Sequence, residues 1–202
     1  MVVPAPLAAE RLVEVGVAVA FAVLMAPLLV AVVVLIRVAD GSPVLHRSTR
    51  VGRDGVPFTL YKFRTMRPGA GAPITAQDDP RITPIGAMLR RWKLDELPQL
   101  WNVMTGDMSL IGPRPEDRRY VAAYTSAQLK LLSVRPGVTS PATMANLREE
   151  EMLGGALDPE RVYVEEILPA KLALDLEWLA NRSTRGDARI LVATFWRMVT
   201  SR

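Results

Sequence analysis

The chain has 202 residues, half of them hydrophobic and 23% charged, with a mean hydropathy of +0.16. That is one domain's length, and too apolar for disorder. Lys and Arg outnumber Asp and Glu by 25 to 21, cysteine is absent, and His46 is the only histidine. Disulfide scaffolds, thiol nucleophiles, Cys-ligated metals and two-His metal sites are therefore excluded, and an excess of four positive charges is too small to make nucleic acid an expected partner.

Residues 15–36 form a run without a charged side chain, bracketed by Glu14 and Arg37. As a helix this run extends roughly 33 Å, about the thickness of a bilayer's hydrocarbon core. A signal peptide does not fit, because the preceding residues are not basic and the apolar run is too long. Pro27 in its middle removes a backbone donor and bends the helix, which leaves open a kinked span or a segment that dips in and returns to the same face. Between 37 and 67 stand Arg37, Arg47, Arg50, Arg53, Lys62, Arg64 and Arg67 against Asp40 and Asp54. By the positive-inside tendency this flank is cytoplasmic. The expected division is a membrane segment over 1–38 and a domain on the cytoplasmic face over 39–202.

Asp40-Gly41-Ser42-Pro43 is a turn signal. Residues 44–51 and 57–66 flank Gly52-Arg53-Asp54-Gly55 and predict a small β-hairpin. Residues 68–80 read as loop. Helices are predicted over 84–92, 98–105, 116–131, 159–180 and 187–200, so the expected class is α+β, mainly helical. In the last helix Ile190, Leu191, Phe195, Met198 and Val199 oppose Arg189, Arg197 and Arg202. That pattern fits an amphipathic helix at a bilayer surface with Trp196 at headgroup depth, and equally one packed on the protein's own core.

The densest polar cluster is Arg90-Arg91-Trp92-Lys93-Leu94-Asp95-Glu96-Leu97-Pro98-Gln99-Leu100. Pro98 favours a helix's first turn, which predicts Asp95 near the N-cap and Glu96 inside the first turn. The helix dipole and Arg90, Arg91 and Lys93 would keep Asp95 ionised. Such a carboxylate suits a nucleophile or a metal ligand; an ordinary capped, salt-bridged helix start is the alternative. Pro113 and Pro115 lock the backbone around Arg114, whose guanidinium suits bidentate phosphate contacts. Alternation over Tyr61-Lys62-Phe63-Arg64-Thr65-Met66 puts Lys62 and Arg64 on one strand face, facing phosphate, lipid headgroups or simply solvent. No P-loop, dinucleotide fingerprint, nucleophile elbow or HExxH helix is present.

Together these segments resemble the bacterial sugar transferase family, the monotopic phosphoglycosyl transferases that start glycan assembly on a polyprenyl phosphate. The resemblance rests on six stretches in order. They are Ser42-Pro43-Val44 through Asp54-Gly55, Tyr61 to Met66, Asp78-Asp79-Pro80-Arg81-Ile82-Thr83, Leu94 to Val103, Gly106 to Pro115, and Arg135-Pro136-Gly137-Val138-Thr139.

The resemblance implies transfer of a phosphosugar from a UDP-sugar to undecaprenyl phosphate with release of UMP, at the cytoplasmic face of a bacterial inner membrane. It implies that Asp95 attacks the phosphate next to the sugar and forms a covalent phosphosugar-aspartate. Glu96 would assist by activating the lipid phosphate, and Arg90 and Arg114 would bind phosphate with help from Lys62, Arg64 and Arg81. Mg²⁺ would lie at Asp95. It also implies a re-entrant membrane helix broken at Pro27, here in an Ala26-Pro27 pair. Phosphoryl transfer needs charge neutralisation more than acid chemistry, and this residue set offers that. The rival readings are a membrane glycosyltransferase that releases UDP and a non-catalytic membrane-docked scaffold.

Overall fold

The computed structural model describes residues 8–69, 74, 79–145, 149–154 and 156–200. Most of the loop expected over 68–80, Asp78 included, lies outside them.

Helix α1, Ala8–Ala39, is one helix of 32 residues with Pro27 inside it, long and apolar enough to cross a membrane. Its contacts with the rest of the chain follow one stripe at helical spacing. Ala18 is buried among Leu60, Leu100, Val103 and Met108, and Val32 and Ile36 among Phe63 and Leu89. Off this stripe Val13, Leu24 and Val38 are exposed. The helix start is clasped as well. Arg11 donates to the carbonyls of Val103 and Met108, while Glu14 accepts from the Leu110 N–H and the Ser109 hydroxyl. Both ends of α1 therefore rest on the same domain.

Strands β1 (Leu45–Val51) and β2 (Pro57–Phe63) form the expected antiparallel hairpin, in register from Leu45–Phe63 to Val51–Pro57. Its turn places Asp54 and Gly55 at positive φ, a region those two residue types tolerate. β2 stops short of the expected residue 66. Beyond it, Met66 makes only an isolated bridge to Ile82.

Helix α2 (Pro84–Arg91) starts where Thr83 accepts the Gly86 N–H and Pro84 takes the first helical position, a favoured N-terminal arrangement. Gly86 is required by proximity, since a Cβ there would stand 2.0 Å from the Thr65 carbonyl oxygen. Thr83 also donates to the Asp40 carboxylate, tying the end of α1 to the start of α2.

A 3₁₀ turn, Leu94–Glu96, precedes α3 (Gln99–Thr105), which has Pro98 at its N-cap. Asp95 and Glu96 thus lie in a separate turn ahead of α3, which corrects the expected placement at its cap and first turn.

Strands β3 (Ser109–Ile111) and β4 (Gly137–Thr139) pair in parallel, an element not anticipated from the sequence. The single helix expected over 116–131 is two pieces, α4 (Arg118–Val121) and a 3₁₀ turn over Gln128–Ser133. The break is local. Thr125 and Gln128 exchange side chain-to-backbone hydrogen bonds, a capping box that starts a new turn.

Helices α5 (Pro141–Ala145) and α6 (Glu149–Gly154) follow. The helix expected over 159–180 is continuous, with α7 (Pro159–Val162) and α8 (Leu168–Ala180) joined by a π turn at Tyr163–Ile167. In α9 (Thr184–Thr200), Ile190 and Leu191 pack on the main core beside Trp178 and Leu179, whereas Val192 and Trp196 are exposed. The side chains of Phe195, Arg197, Met198 and Val199, and Arg202, lie outside the described residues.

Candidate active site

Three distant parts of the chain meet at Glu96. Its Oε1 accepts from Lys62 Nζ on β2 at 2.8 Å and from Arg114 Nη2 at 2.8 Å. Local folding explains the meeting. Asn102 is fully buried on α3; its Nδ2 donates to the Thr59 carbonyl at 2.7 Å and its Oδ1 accepts the Tyr61 N–H at 3.2 Å. This amide serves the free edge of β2 as a strand partner would, and it fixes α3 and the preceding turn beside Lys62. Sequence reasoning passed over Asn102, although a polar residue on the apolar side of a short helix was the available signal.

Arg114 is set by the parallel strand pair. Gly112 N–H donates to the Thr139 carbonyl, Gly137 N–H to the Pro113 carbonyl, and Val51 N–H to the Glu116 carbonyl. The two glycines must approach closely, because a Cβ on Gly137 would lie 2.1 Å from the Gly112 nitrogen. The Pro-Arg-Pro segment is therefore pinned from the hairpin and from β4 together.

Asp95 sits next to this ion cluster with 8% of its surface exposed, and its buried Oδ1 has no hydrogen-bond partner. Burial and the neighbouring Glu96 charge push its carboxyl above the ordinary value, against partial offsets from Lys62, Lys93 and Arg90. For Glu96 burial also pushes upward, but Arg114 and Lys62 more than offset it and hold the group well below the usual carboxylate range. Glu96 is thus the carboxylate held below its ordinary range, and Asp95 the one raised above it. Lys93 and Arg90 draw the Asp95 carboxyl down only in part, so the expected net lowering by its sequence neighbours is not found; the cations paired on Glu96 arrive instead from β2 and the Pro-Arg-Pro loop. Burial pushes the Lys62 ammonium down, with Glu96 the largest opposing influence.

The remaining cations are placed differently. Arg90 donates to Thr65 Oγ1 at 3.0 Å and to Met66 Sδ at 3.1 Å, close enough to Asp95 for its charge to be felt there. Arg64 is buried and donates to the carbonyls of Asp40 and Gly41 at 2.5 and 3.0 Å, so its guanidinium braces the end of α1. Arg81 forks onto Asp79 at 2.6 and 2.9 Å. The site thus joins Asp95, Glu96, Lys62 and Arg114, flanked by Arg90.

Among the described residues no group of three carboxylate or imidazole side chains could hold a metal alone. A single buried carboxylate with an unpartnered oxygen nevertheless fits an ion that arrives with phosphates, as Mg²⁺ characteristically does.

Beside the triad of Lys62, Glu96 and Arg114 lies a polar cavity of about 220 Å³, lined by Lys62, Arg114, Gln99, Glu116, Tyr163 and Lys171 among others. No local pattern signals it, since these residues come from separate elements.

The family model for bacterial sugar transferases matches residues 6–201. The chain is 35% identical over 198 residues to a UDP-glucose:undecaprenyl-phosphate glucose-1-phosphate transferase of Caulobacter vibrioides, covering 95% of this chain and 70% of that protein. It is 39% identical over 172 residues to an uncharacterized sugar transferase, EpsL, of Bacillus subtilis, covering 84% and 76%. It is 33% identical over 183 residues to a UDP-N-acetylgalactosamine-undecaprenyl-phosphate N-acetylgalactosaminephosphotransferase of Aeromonas hydrophila, covering 88% of this chain and 40% of that protein.

Proposed function

Since this chain belongs to the bacterial sugar transferase family, we propose that it transfers a sugar phosphate from a UDP-sugar to undecaprenyl phosphate and releases UMP, with Asp95 as nucleophile. The observation that carries this reading is a buried carboxylate with an unpartnered oxygen beside two cations fixed on Glu96.

In the first step an Asp95 carboxylate oxygen bonds to the phosphorus that bears the sugar. The bond from that phosphorus to the UMP oxygen breaks, and UMP leaves with the electron pair. In the second step a phosphate oxygen of the lipid bonds to the same phosphorus, the aspartyl–phosphorus bond breaks, and the carboxylate is restored. The product is a lipid diphosphate sugar. A carboxylate nucleophile divides one displacement into two.

Lys62 and Arg114 supply preorganised positive charge where phosphoryl oxygens would lie. Glu96, held ionised by two partners, is poorly suited to take a proton, and its part is to hold those two cations in place. Asp95 is the residue that would hold Mg²⁺, and the ion would neutralise charge on the donor's phosphates. Arg90 is the further phosphate-binding candidate.

Membrane association follows from the apolar α1 and from family membership. For topology we infer a monotopic arrangement on the cytoplasmic face, with α1 re-entrant. A helix with both ends docked on one polar domain cannot stand across a bilayer unless that domain enters hydrocarbon, where its charges would be costly. The basic flank after residue 37 supports the cytoplasmic side.

The test supplies the purified chain in lipid vesicles with undecaprenyl phosphate, Mg²⁺ and a panel of UDP-sugars. Release of UMP with a lipid diphosphate sugar is expected. UDP as the nucleotide product would overturn the reading.

A further inference from the structure

The chemistry above leaves the body of the polar cavity of about 220 Å³ beside the triad unused. Its lining includes Lys62 and Arg114, the two cations bound to Glu96. Glu116, Tyr163, Lys171 and Glu149 line it as well. Tyr163 donates to Glu116 Oε1 at 2.7 Å, and Lys171 Nζ reaches Glu149 Oε2 at 3.0 Å and the Tyr163 hydroxyl at 3.4 Å. Both the Lys171 and the Glu116 side chains are 8% exposed. Burying such a set is costly, and replacing it with apolar groups would commonly cost a fold nothing.

The same walls carry donors that the protein does not satisfy. Gln99 is 2% exposed and its Nε2 is buried without a hydrogen-bond partner; Arg50 Nε is likewise unpartnered. Both residues line the cavity. Buried polar atoms normally find partners, so unpaired donors beside a polar cavity point to a ligand that brings acceptors.

On the reaction proposed above, which this inference rests on, we propose that the cavity receives the sugar ring of the UDP-sugar, and that Gln99, Glu149 and Lys171 read its hydroxyls. Position supports the sugar over the nucleotide. The phosphorus attacked by Asp95 bears the sugar directly, whereas the uridine is one phosphate further away, so the ring nearest the triad is the sugar. Chemistry supports it too. Each sugar hydroxyl both donates and accepts, which suits a wall mixing carboxylates, an ammonium, a guanidinium and an amide. Uracil offers a single N–H donor to a wall that carries the buried Glu116 carboxylate and the partly exposed Glu149 carboxylate. Size agrees as well, since the cavity is smaller than the roughly 300–1,000 Å³ of sites that enclose a whole drug-sized ligand, and one ring of the donor fits its scale.

The experiment uses the full chain in vesicles with undecaprenyl phosphate. UDP-glucose, UDP-galactose, UDP-N-acetylglucosamine and UDP-N-acetylgalactosamine serve as donors, and UMP as the sugar-free probe. For whichever donor the unaltered chain turns over, Gln99→Met and Glu149→Gln are expected to raise KM at least tenfold while UMP affinity stays within twofold. Glu149 is the more exposed partner of Lys171, so its amide variant keeps a folded control if Gln99→Met is unstable. A matching loss of UMP affinity would put the nucleotide in the cavity and overturn the proposal. Unchanged KM in folded Glu149→Gln and Gln99→Met would make the cluster structural and overturn it too. Absence of UMP release from the unaltered chain with every donor would instead refute the underlying reaction.

Discussion

Arg114 Nη2 and Glu96 Oε1 lie 2.8 Å apart although 18 residues separate them in the chain. The contact joins a turn ahead of α3 to a proline-flanked loop that the parallel strand pair positions. On the present account it aims positive charge at the phosphates. Replacing Arg114 by Ala, or Lys62 by Met, is expected to lower the rate of UMP release by about 100-fold or more, the scale seen when one preorganised charge-stabilising donor is lost. Arg114→Lys should recover only part of it, since an ammonium cannot reproduce the fork. Steady-state rates at saturating UDP-sugar check this.

Gly137 faces Gly112 so closely that a Cβ would meet the Gly112 nitrogen at 2.1 Å and its oxygen at 2.5 Å. Backbone cannot yield as a flexible side chain does. Gly137→Ala is expected to cost at least about 3 kcal/mol, the upper range for overpacking, and to displace Arg114. Thermal unfolding together with UMP release should show both losses. An unchanged Tm would contradict the parallel pairing.

Asp175 is buried on α8 and accepts the Ala142 N–H at 3.3 Å; burial pushes its carboxyl up to about 6 from the ordinary 3.8. The unfolded chain releases this proton near pH 4 and the folded chain near pH 6. Stability is therefore unaffected below pH 4, falls as pH rises from 4 to 6, and stays reduced above. Asp175→Asn keeps an acceptor without the charge. It should be more stable at pH 7 by on the order of 2–3 kcal/mol, or about 5 °C or more in Tm, with the gain vanishing near pH 4.

Both ends of α1 are docked on one domain. Because the chain has no cysteine, single cysteines at Glu10 and Asp54 can be labelled cleanly. In intact cells an impermeant thiol reagent should reach neither, and after lysis it should reach both. Labelling at position 10 alone from outside would mean that α1 spans the bilayer.

The sequence was most informative where structure is local. The hairpin follows from alternation around Gly52 to Gly55, α2 from its Thr-Pro start, and α1 from its charge-free run. It was least informative where function depends on residues meeting across distance. Alternation places Lys62 and Arg64 on one strand face, yet only Lys62 reaches Glu96, because the Asp40 and Gly41 carbonyls at the end of α1 take up Arg64. The strands β3 and β4 are three residues each and pair across a gap of some 25 residues, too short for any periodicity to register. Asp95 and Glu96 were both legible as the site's carboxylates. Which of them is held below the ordinary carboxylate range was not, since that depends on cations 34 and 18 residues from Glu96.

On the proposed mechanism Asp95 carries the sugar phosphate during turnover. Intact-mass spectrometry of the chain, quenched with its UDP-sugar before the lipid acceptor is added, tests it directly. A mass increase of one sugar phosphate is expected, mapping to Asp95, lost in Asp95→Asn and discharged on adding undecaprenyl phosphate. A preparation that turns over fully while Asp95 never gains that mass, or an Asp95→Asn variant working at the unaltered rate, would contradict the account.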